Sequence, residues 1–276
     1  MRKNLKLLGF ALAIFAVAHF AQRQTDGFTL QKISRSLLQE ETTTQVDVPN
    51  MRYHYLTKGG QSYVFLSEDG EYVLKLFRDS KRQNLSLLHR LLPLKIFETK
   101  LKKLEEEQRE TLKSYQLAFE RLKRETALHS IHLNTGLPTI QALRIVDKLG
   151  IEHTIDGNLY PFILQKKAKS VKEHIEELMQ KGHHDHARVA LEKLAALIKG
   201  RIAAKIHDGD PNLSKNFGFL GGRPVQIDAG RFSMSRPAKR QRLKSSKEDL
   251  QNWINEHHPQ LSEAFDEAFQ PLLKAL

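Results

Sequence analysis

The sequence predicts an α+β protein in which one antiparallel sheet is followed by a mainly helical part. Short runs rich in aromatic and β-branched residues lie within residues 53–77, separated by turn residues. A long charged stretch with a regular apolar stripe then occupies residues 80–134. Two more strand-like runs follow it, before a part dominated by helical spacing, so we expect five strands and two lobes.

Composition limits the classes of function. The chain has 276 residues, of which 28% are charged and 40% hydrophobic, which is typical of a folded protein with one large domain or two small lobes. Its net charge of +12 suits a nucleotide, a nucleic acid or an acidic membrane surface, or serves solubility alone. Because the sequence contains no cysteine, disulfides, thiolate catalysis and cysteine-ligated zinc are excluded.

The N-terminal region has the pattern of a targeting segment. An uncharged run of fifteen residues, Leu7–Ala21, follows a basic start and is shorter than the ~20 residues that span a bilayer comfortably. For residues 1–25 we therefore expect an export signal, with a short membrane anchor as the alternative. The protein would be membrane-anchored or exported, but basic residues on both flanks leave the side of the membrane undetermined. Residues 26–50 are polar and predict a linker with a short amphipathic helix.

Residues 51–168 are predicted to form the first lobe. Its three opening strands are Tyr53–Leu56, Ser62–Leu66 and Tyr72–Phe77, and the Gly and Asp-Gly turns between them indicate an antiparallel meander. In the helical insertion 80–134, Pro93 divides a short helix from a long one.

The long helix, residues 95–133, carries dense charge that is typical of a solvated face and could also bind a protein partner. A Gly-Pro stop at Thr135–Pro138 ends it. The fourth and fifth strands are predicted at Ile140–Leu149 and Tyr160–Leu164.

Residues 169–276 are predicted to form a small, mainly helical second lobe with helices at 171–181, 186–205 and 246–275. Between the last two helices, Phe217–Phe219 and Pro224–Ile227 read as a hairpin joined by a Gly-Gly turn. The segment Gly182–His186 predicts a helix start rather than a metal site. The basic run Arg236–Lys244 reads as a solvated loop, with anionic lipid or nucleic acid as the alternative ligand. No DNA partner is expected, since no aromatic residues interleave with this run.

Oxygen-bearing side chains cluster around that hairpin. Asp208, Asp210 and Asn216 precede it, and Asp228 follows it directly. Magnesium prefers one or two carboxylates together with phosphate oxygens and water. The pattern therefore predicts a magnesium-assisted phosphate chemistry, with an ordinary polar turn as the alternative.

This stretch resembles the catalytic and metal-binding loops of the protein-kinase-like superfamily. Asp228, within Ile-Asp-Ala-Gly, resembles the metal aspartate of the kinase Asp-Phe-Gly triplet, and Asp210 stands eighteen residues before it. Asn216 resembles the second metal ligand, although it stands six residues after Asp210, where kinases usually have five. The resemblance implies a two-lobed kinase-like fold, ATP and Mg²⁺ as cofactors, Asp210 as the catalytic residue, and Asn216 with Asp228 as metal ligands. Asp208 is a second candidate for the catalytic base, with a further metal ligand or an orienting residue as the alternatives. The N-terminal apolar run would precede this fold as a hydrophobic helix.

The resemblance extends to the first lobe. Lys75 lies in a strand as the kinase Val-Ala-Ile-Lys lysine does, which implies that it holds nucleotide phosphates; the alternative is an edge-strand lysine that opposes aggregation. Glu125 is the expected carboxylate partner of Lys75, with Glu120 as the alternative. The predicted phosphate loop consists of Gly59, Gly60 and Ser62.

Departures from the family narrow the function. Alanine replaces the phenylalanine of the metal triplet, no Ala-Pro-Glu follows, and only 46 residues remain after Gly230, too few for a peptide-binding platform. With these departures, the resemblance implies an atypical bacterial kinase nearer to the small-molecule, aminoglycoside-type enzymes: an ATP- and Mg²⁺-dependent phosphotransferase acting on a small molecule or an unknown substrate. The alternatives are a pseudokinase or scaffold that binds nucleotide or a partner without transfer, and a basic membrane-surface binding protein.

Overall fold

The structure is a computed structural model that describes residues 2–35, 38, 46–134, 142–235 and 240–274. Several predicted features lie outside the described residues: part of the linker, the helix stop at Thr135–Pro138, the start of the strand at Ile140, and residues 236–239 of the basic run. None of the described helices has the length and apolar character needed to cross a membrane. The export signal or anchor over residues 1–25 stays a prediction.

Seven α-helices and twelve strands are assigned in the described ranges. The helices are α1 Arg2–Gln24, α2 Ser80–Leu91, α3 Lys95–Thr126, α4 Val171–Gln180, α5 His184–Ala203, α6 Arg240–His257 and α7 Ser262–Lys274. The strands are β1 Arg52–Lys58, β2 Ser62–Ser67, β3 Tyr72–Phe77, β4 Leu128–His132, β5 Leu143–Val146, β6 Glu152–Ile155, β7 Phe162–Lys166, β8 Lys169–Ser170, β9 His207–Asp208, β10 Phe217–Leu220, β11 Arg223–Gln226 and β12 Phe232–Ser233. The chain forms two compact units: unit 1 is Met1–Leu104 with His132–Leu164, and unit 2 is Glu105–Ile131 with Gln165–Leu276.

The main sheet has seven strands in the order β4-β7-β3-β2-β1-β5-β6, so the expectation of five strands was wrong. The predicted meander is confirmed, because β1 pairs antiparallel with β2 and β2 with β3. The sheet is not wholly antiparallel, since β1 pairs in parallel with β5. The division between the two units falls within β4 and β7.

The two strands that were not expected, β4 and β6, have weak strand signals in the sequence. The apolar residues of β4 continue the helical stripe of α3, so the segment was predicted as helix; Ala127, with a φ of +52°, ends the helix just before it. The strand β6 is largely exposed and polar, and it lies at the edge of the sheet, where no apolar run is required. The single strand expected at Ile140–Leu149 is therefore replaced by the antiparallel pair β5 and β6.

The core of unit 1 is aromatic and lies on the sheet. Tyr53, Phe65 and Leu74 are at most 1% exposed, as expected for alternate positions along strands with one buried face. Phe28, from the stretch predicted as a linker, is also buried here and packs edge-on against Tyr63 with 5.0 Å between ring centroids. This segment therefore contributes to the core of unit 1.

Unit 2 is a helical body with a small sheet. Helices α4 to α7 enclose an apolar core, and the sheet has the order β11-β10-β8. The single terminal helix expected at 246–275 is replaced by α6 and α7, because a short 3₁₀ turn, Pro259–Leu261, interrupts it. Gly218 allows β10 to approach β8 closely: a Cβ there would lie 2.3 Å from the Lys169 carbonyl oxygen.

Candidate functional site

The hairpin of β10 and β11 brings two of the predicted metal ligands to one end. Gly221 and Gly222 have φ values of +55° and +78°, which suit the tight turn expected from the Gly-Gly pair. At the opposite end of the hairpin, the backbone carbonyl of Asn216 accepts the N–H of Ile227 at 2.8 Å and that of Asp228 at 3.4 Å. Asn216 and Asp228 are thus adjacent, although twelve positions separate them in the sequence.

The side chain of Asn216 connects this end of the hairpin to Asp210. Its Nδ2 donates to the Asp210 carbonyl oxygen at 2.7 Å, and its backbone N–H donates to Asn212 at 2.8 Å. The bond from Nδ2 leaves the amide oxygen Oδ1 as the atom that could bind a cation. Asp210, Asn216 and Asp228 are therefore brought together within unit 2.

The Asp228 carboxylate is oriented by two hydrogen bonds to the same oxygen. Oδ1 accepts from the hydroxyl of Tyr115 at 3.0 Å and from the backbone N–H of Gly230 at 3.0 Å. Burial, together with the charge of Asp228, raises the pKa of Tyr115 well above its usual range, so the tyrosine stays protonated and donates. No hydrogen bond to Oδ2 is recorded within the described part of unit 2, so this oxygen keeps its lone pairs for a cation.

Helix α3 also fixes the segment on both sides of Gly230. The buried hydroxyl of Ser114 donates to the carbonyl oxygen of Ala229 and accepts the backbone N–H of Phe232. In the sequence, Tyr115 fits the apolar stripe of the helix, and Ser114 has no predicted role. The sequence feature that could have indicated these contacts is a serine and a tyrosine next to each other on α3. Hydroxyl groups need hydrogen-bond partners when they are buried.

Asp208 has a different environment from Asp210. It is 3% exposed, its Oδ1 accepts the N–H of Asp210 at 2.8 Å, and its Oδ2 accepts from Gln226 at 2.5 Å. The guanidinium of Arg201, itself buried, lies 3.6 Å from Oδ2. Burial raises the pKa of Asp208 even though the charge of Arg201 opposes the rise. With its oxygens thus occupied, the carboxylate is better suited to holding the loop than to accepting a substrate proton.

The predicted site residues of unit 1 occupy ordinary positions in the meander. Lys75 lies opposite Val64 in β3, between the buried Leu74 and Leu76, and its side chain is partly exposed. The β1–β2 turn is closed by a 2.8 Å bond from the N–H of Gly59 to the carbonyl oxygen of Ser62. A Cβ at Gly60 would meet no atom within 4 Å. The phosphate contacts of Lys75, Gly59, Gly60 and Ser62 stay predictions.

Glu125 lies in the last turn of α3 and lines a cavity of about 400 Å³ in unit 2. Basic residues and the Gly-Gly turn line the same cavity, including Arg124, Lys193 and Arg223. The alternative carboxylate, Glu120, is exposed and accepts a hydrogen bond from Gln116 at 3.1 Å. The pairing of either glutamate with Lys75 stays a prediction.

The side chains available as metal ligands restrict which ions could bind. Within the described ranges, no three His, Cys, Asp or Glu side chains are grouped so that they could hold a metal ion. The histidine-rich segment instead begins a helix, as expected: α5 starts at His184, and Asp185 lies in its first turn. The carboxylate of Asp228 and the amide oxygen of Asn216 would supply two oxygens, which suits Mg²⁺ when phosphate and water supply the other ligands.

Comparisons with known proteins give limited likenesses. No protein-family model and no curated protein matches the sequence. Part of the fold is similar to the Legionella pneumophila LegK7 effector kinase, with 16% identity and a TM-score of 0.28, over 45% of this chain and 25% of that one. The chain is also similar to Mycobacterium tuberculosis Rv3197, solved with erythromycin, with 12% identity and a TM-score of 0.35, over 78% of this chain and 53% of that one. The chain thus spans a quarter and about half of those two proteins.

Proposed function

We propose that the protein is an ATP- and Mg²⁺-dependent phosphotransferase of the kinase-like type, acting on a small molecule or another hydroxyl-bearing substrate. The observation that carries the proposal is the double role of Asn216. Its side chain binds the backbone of Asp210, and its backbone binds the backbone at Asp228. A proton acceptor and two oxygen ligands for a cation are thereby held in one loop–hairpin assembly, as phosphoryl transfer requires.

Asp228 and Asn216 are the residues that would hold the magnesium ion. When bound, the ion would neutralise the charge of the nucleotide phosphates. Tyr115 and the N–H of Gly230 fix Oδ1 of Asp228, so the carboxylate need not reorganise when a cation arrives. Pre-organisation of this kind favours a functional carboxylate over an ordinary polar turn.

Asp210 is the proposed proton acceptor. No hydrogen bond or ion pair to its carboxylate is recorded among the described residues, so the group is available to orient a substrate hydroxyl and take its proton. Lys75 keeps the role predicted from the sequence, contact with the nucleotide phosphates. Asp208 holds the loop through Arg201 and Gln226.

Nucleotide binding tests the proposal most directly. MgATP at about a hundred times its dissociation constant should stabilise the wild-type protein by about 2.7 kcal/mol, seen as a rise in melting temperature. Asp228→Asn should lose most of this rise because the substitution removes a charged ligand of the metal. Asp249→Asn is the matched control, since Asp249 is an exposed aspartate of α6 in the same unit. Equal rises in the wild type and in Asp228→Asn would contradict the proposal.

A pseudokinase is the second candidate, and the β1–β2 turn favours it. Neither Gly59 nor Gly60 has a positive φ, and no other glycine lies in this short turn. ADP formation from MgATP, which accompanies both transfer to a hydroxyl and hydrolysis, separates the two candidates. For an active enzyme, Asp210→Asn should reduce ADP formation by about 10²–10⁴-fold while leaving the MgATP-induced rise in melting temperature intact. Binding without ADP formation above background would assign the protein to the pseudokinases.

A further inference from the structure

Unit 1 has an exposed apolar surface that contains none of the residues proposed for phosphoryl transfer. Helix α2 contains no buried residue, and its apolar side chains continue uncovered into the start of α3. We define the leucine surface as the exposed apolar residues of this segment: Leu87, Leu88, Leu91, Leu92, Leu94 and Ile96. These side chains are 47% to 70% exposed. Other exposed large apolar residues after α1 occur singly or in pairs, whereas this segment groups six within ten positions.

The charge around the leucine surface is strongly basic. Residues 80–104 contain seven Lys and Arg side chains and a single acidic residue, Glu98. Arg90, Lys95 and Lys100 lie within or directly beside the apolar group, and all three are exposed. The excess of six positive charges in 25 residues is half of the net charge of the whole chain.

We infer that the leucine surface docks on an anionic lipid bilayer, with α2 lying in the interface rather than crossing it. Exposed apolar side chains beside dense positive charge are the features of interfacial helices, whose apolar face enters the boundary between headgroups and acyl chains. A protein groove would cover the leucines but would need a matching acidic rim around them. An anionic bilayer supplies the apolar layer and the negative charge together. Helix α1 also exposes large apolar side chains, among them Phe10, Phe15 and Phe20, so unit 1 carries a second exposed apolar element.

A fluorescent label can follow the leucine surface directly, because the chain has no cysteine of its own. Leu91→Cys in the full chain would carry an environment-sensitive dye, and Leu149→Cys, at an exposed leucine elsewhere in unit 1, would be the matched control. With vesicles of phosphatidylcholine and phosphatidylserine, the dye at position 91 should shift to the blue, and the dye at 149 should not. Binding through α1 alone would leave both dyes in water, so an unchanged spectrum at 91 would overturn the inference.

Partition measurements complete the test. Leu91→Glu with Ile96→Glu should weaken binding to the same vesicles by about tenfold or more, whereas Leu149→Glu with Ile151→Glu, which adds equal charge, should not. Replacing Arg90, Lys95 and Lys100 by glutamine should weaken binding by roughly a hundredfold. Equal binding to pure phosphatidylcholine would overturn the role of charge. A blue shift at 91 that needs no vesicles and grows with protein concentration would show a second copy of the chain as the occupant, and would also overturn the inference.

Discussion

Substitution by asparagine is expected to lower the stability of the protein at Asp208 but to lower its activity at Asp210. Asp208→Asn removes a buried charge that lies 3.6 Å from the guanidinium of Arg201, whose own side chain is 6% exposed. Loss of one partner from a buried ion pair typically costs about 3–5 kcal/mol, because the other charge stays buried without compensation. The asparagine can still accept the N–H of Asp210, but its NH₂ group would face other donors, Gln226 or Arg201. Because burial raises the pKa of Asp208 against the pull of Arg201, we expect a loss near 3 kcal/mol, the lower end of that range.

Urea unfolding measures this loss. The chain has a single tryptophan, Trp253, which lies in α6 and so reports on unit 2 by its fluorescence. Asp210→Asn is the control: its carboxylate has no recorded partner among the described residues, so the free energy of unfolding should change by less than about 0.5 kcal/mol. Asp210→Asn should instead reduce ADP formation by about 10²–10⁴-fold. If Asp208→Asn left unfolding unchanged while eliminating ADP formation, the structural role assigned to Asp208 would be wrong.

Further substitutions test other parts of the argument. Tyr115→Phe keeps the buried ring but removes the donor to Asp228, so the binding free energy of MgATP should weaken by up to about 1.5 kcal/mol and the MgATP-induced rise in melting temperature should become smaller; an unchanged rise would show that the hydroxyl does not orient the carboxylate. Gly218→Ala should destabilise unit 2 by about 1–3 kcal/mol in urea, because its Cβ would stand 2.3 Å from a carbonyl oxygen of β8. Gly200→Ala, in open space within α5, should be neutral or stabilising by up to about 1 kcal/mol. Burial lowers the pKa of His132 below its ordinary 6.5, so unit 1 should be most stable above that pH and lose stability as the pH falls below it. His132→Gln should flatten this dependence in near-ultraviolet circular dichroism, and an equally steep profile would assign it to other groups.

The sequence was most informative where local chemistry decides the structure. The Gly-Gly hairpin and the meander follow from turn residues and alternation, so both were predictable. The grouping of Asp210, Asn216 and Asp228 followed from the same hairpin, because pairing of β10 with β11 brings the flanking residues together. Contacts between distant segments were not predictable in this way. Position 115 reads as one more apolar residue in a helical stripe, and only the fold shows that its hydroxyl meets a carboxylate.

The surroundings of the Asp208 side chain were also not predictable from the sequence. Asp208 and Asp210 stand two positions apart with similar neighbours, so spacing could not separate them. Their difference arises from the burial of Asp208 and from its contacts with Gln226 and with Arg201, which lies in the last turn of α5. Strand β6 was missed for a different reason: it is a short edge strand with two of its four residues exposed, so it needs no apolar pattern, and its partner strand supplies its hydrogen bonds.

The bonds made by Ser114 and Tyr115 couple the rotation of a helix to the position of a carboxylate. Consecutive residues on an α-helix point about 100° apart, so turning α3 by one residue would withdraw both hydroxyls from the Ile227–Phe232 segment. Within unit 2, the orientation of Asp228 therefore depends on the register of α3 as well as on the N–H of Gly230. A ligand or partner that rotated this helix would change the orientation of the carboxylate without contacting it. One that held the helix fixed would preserve that orientation.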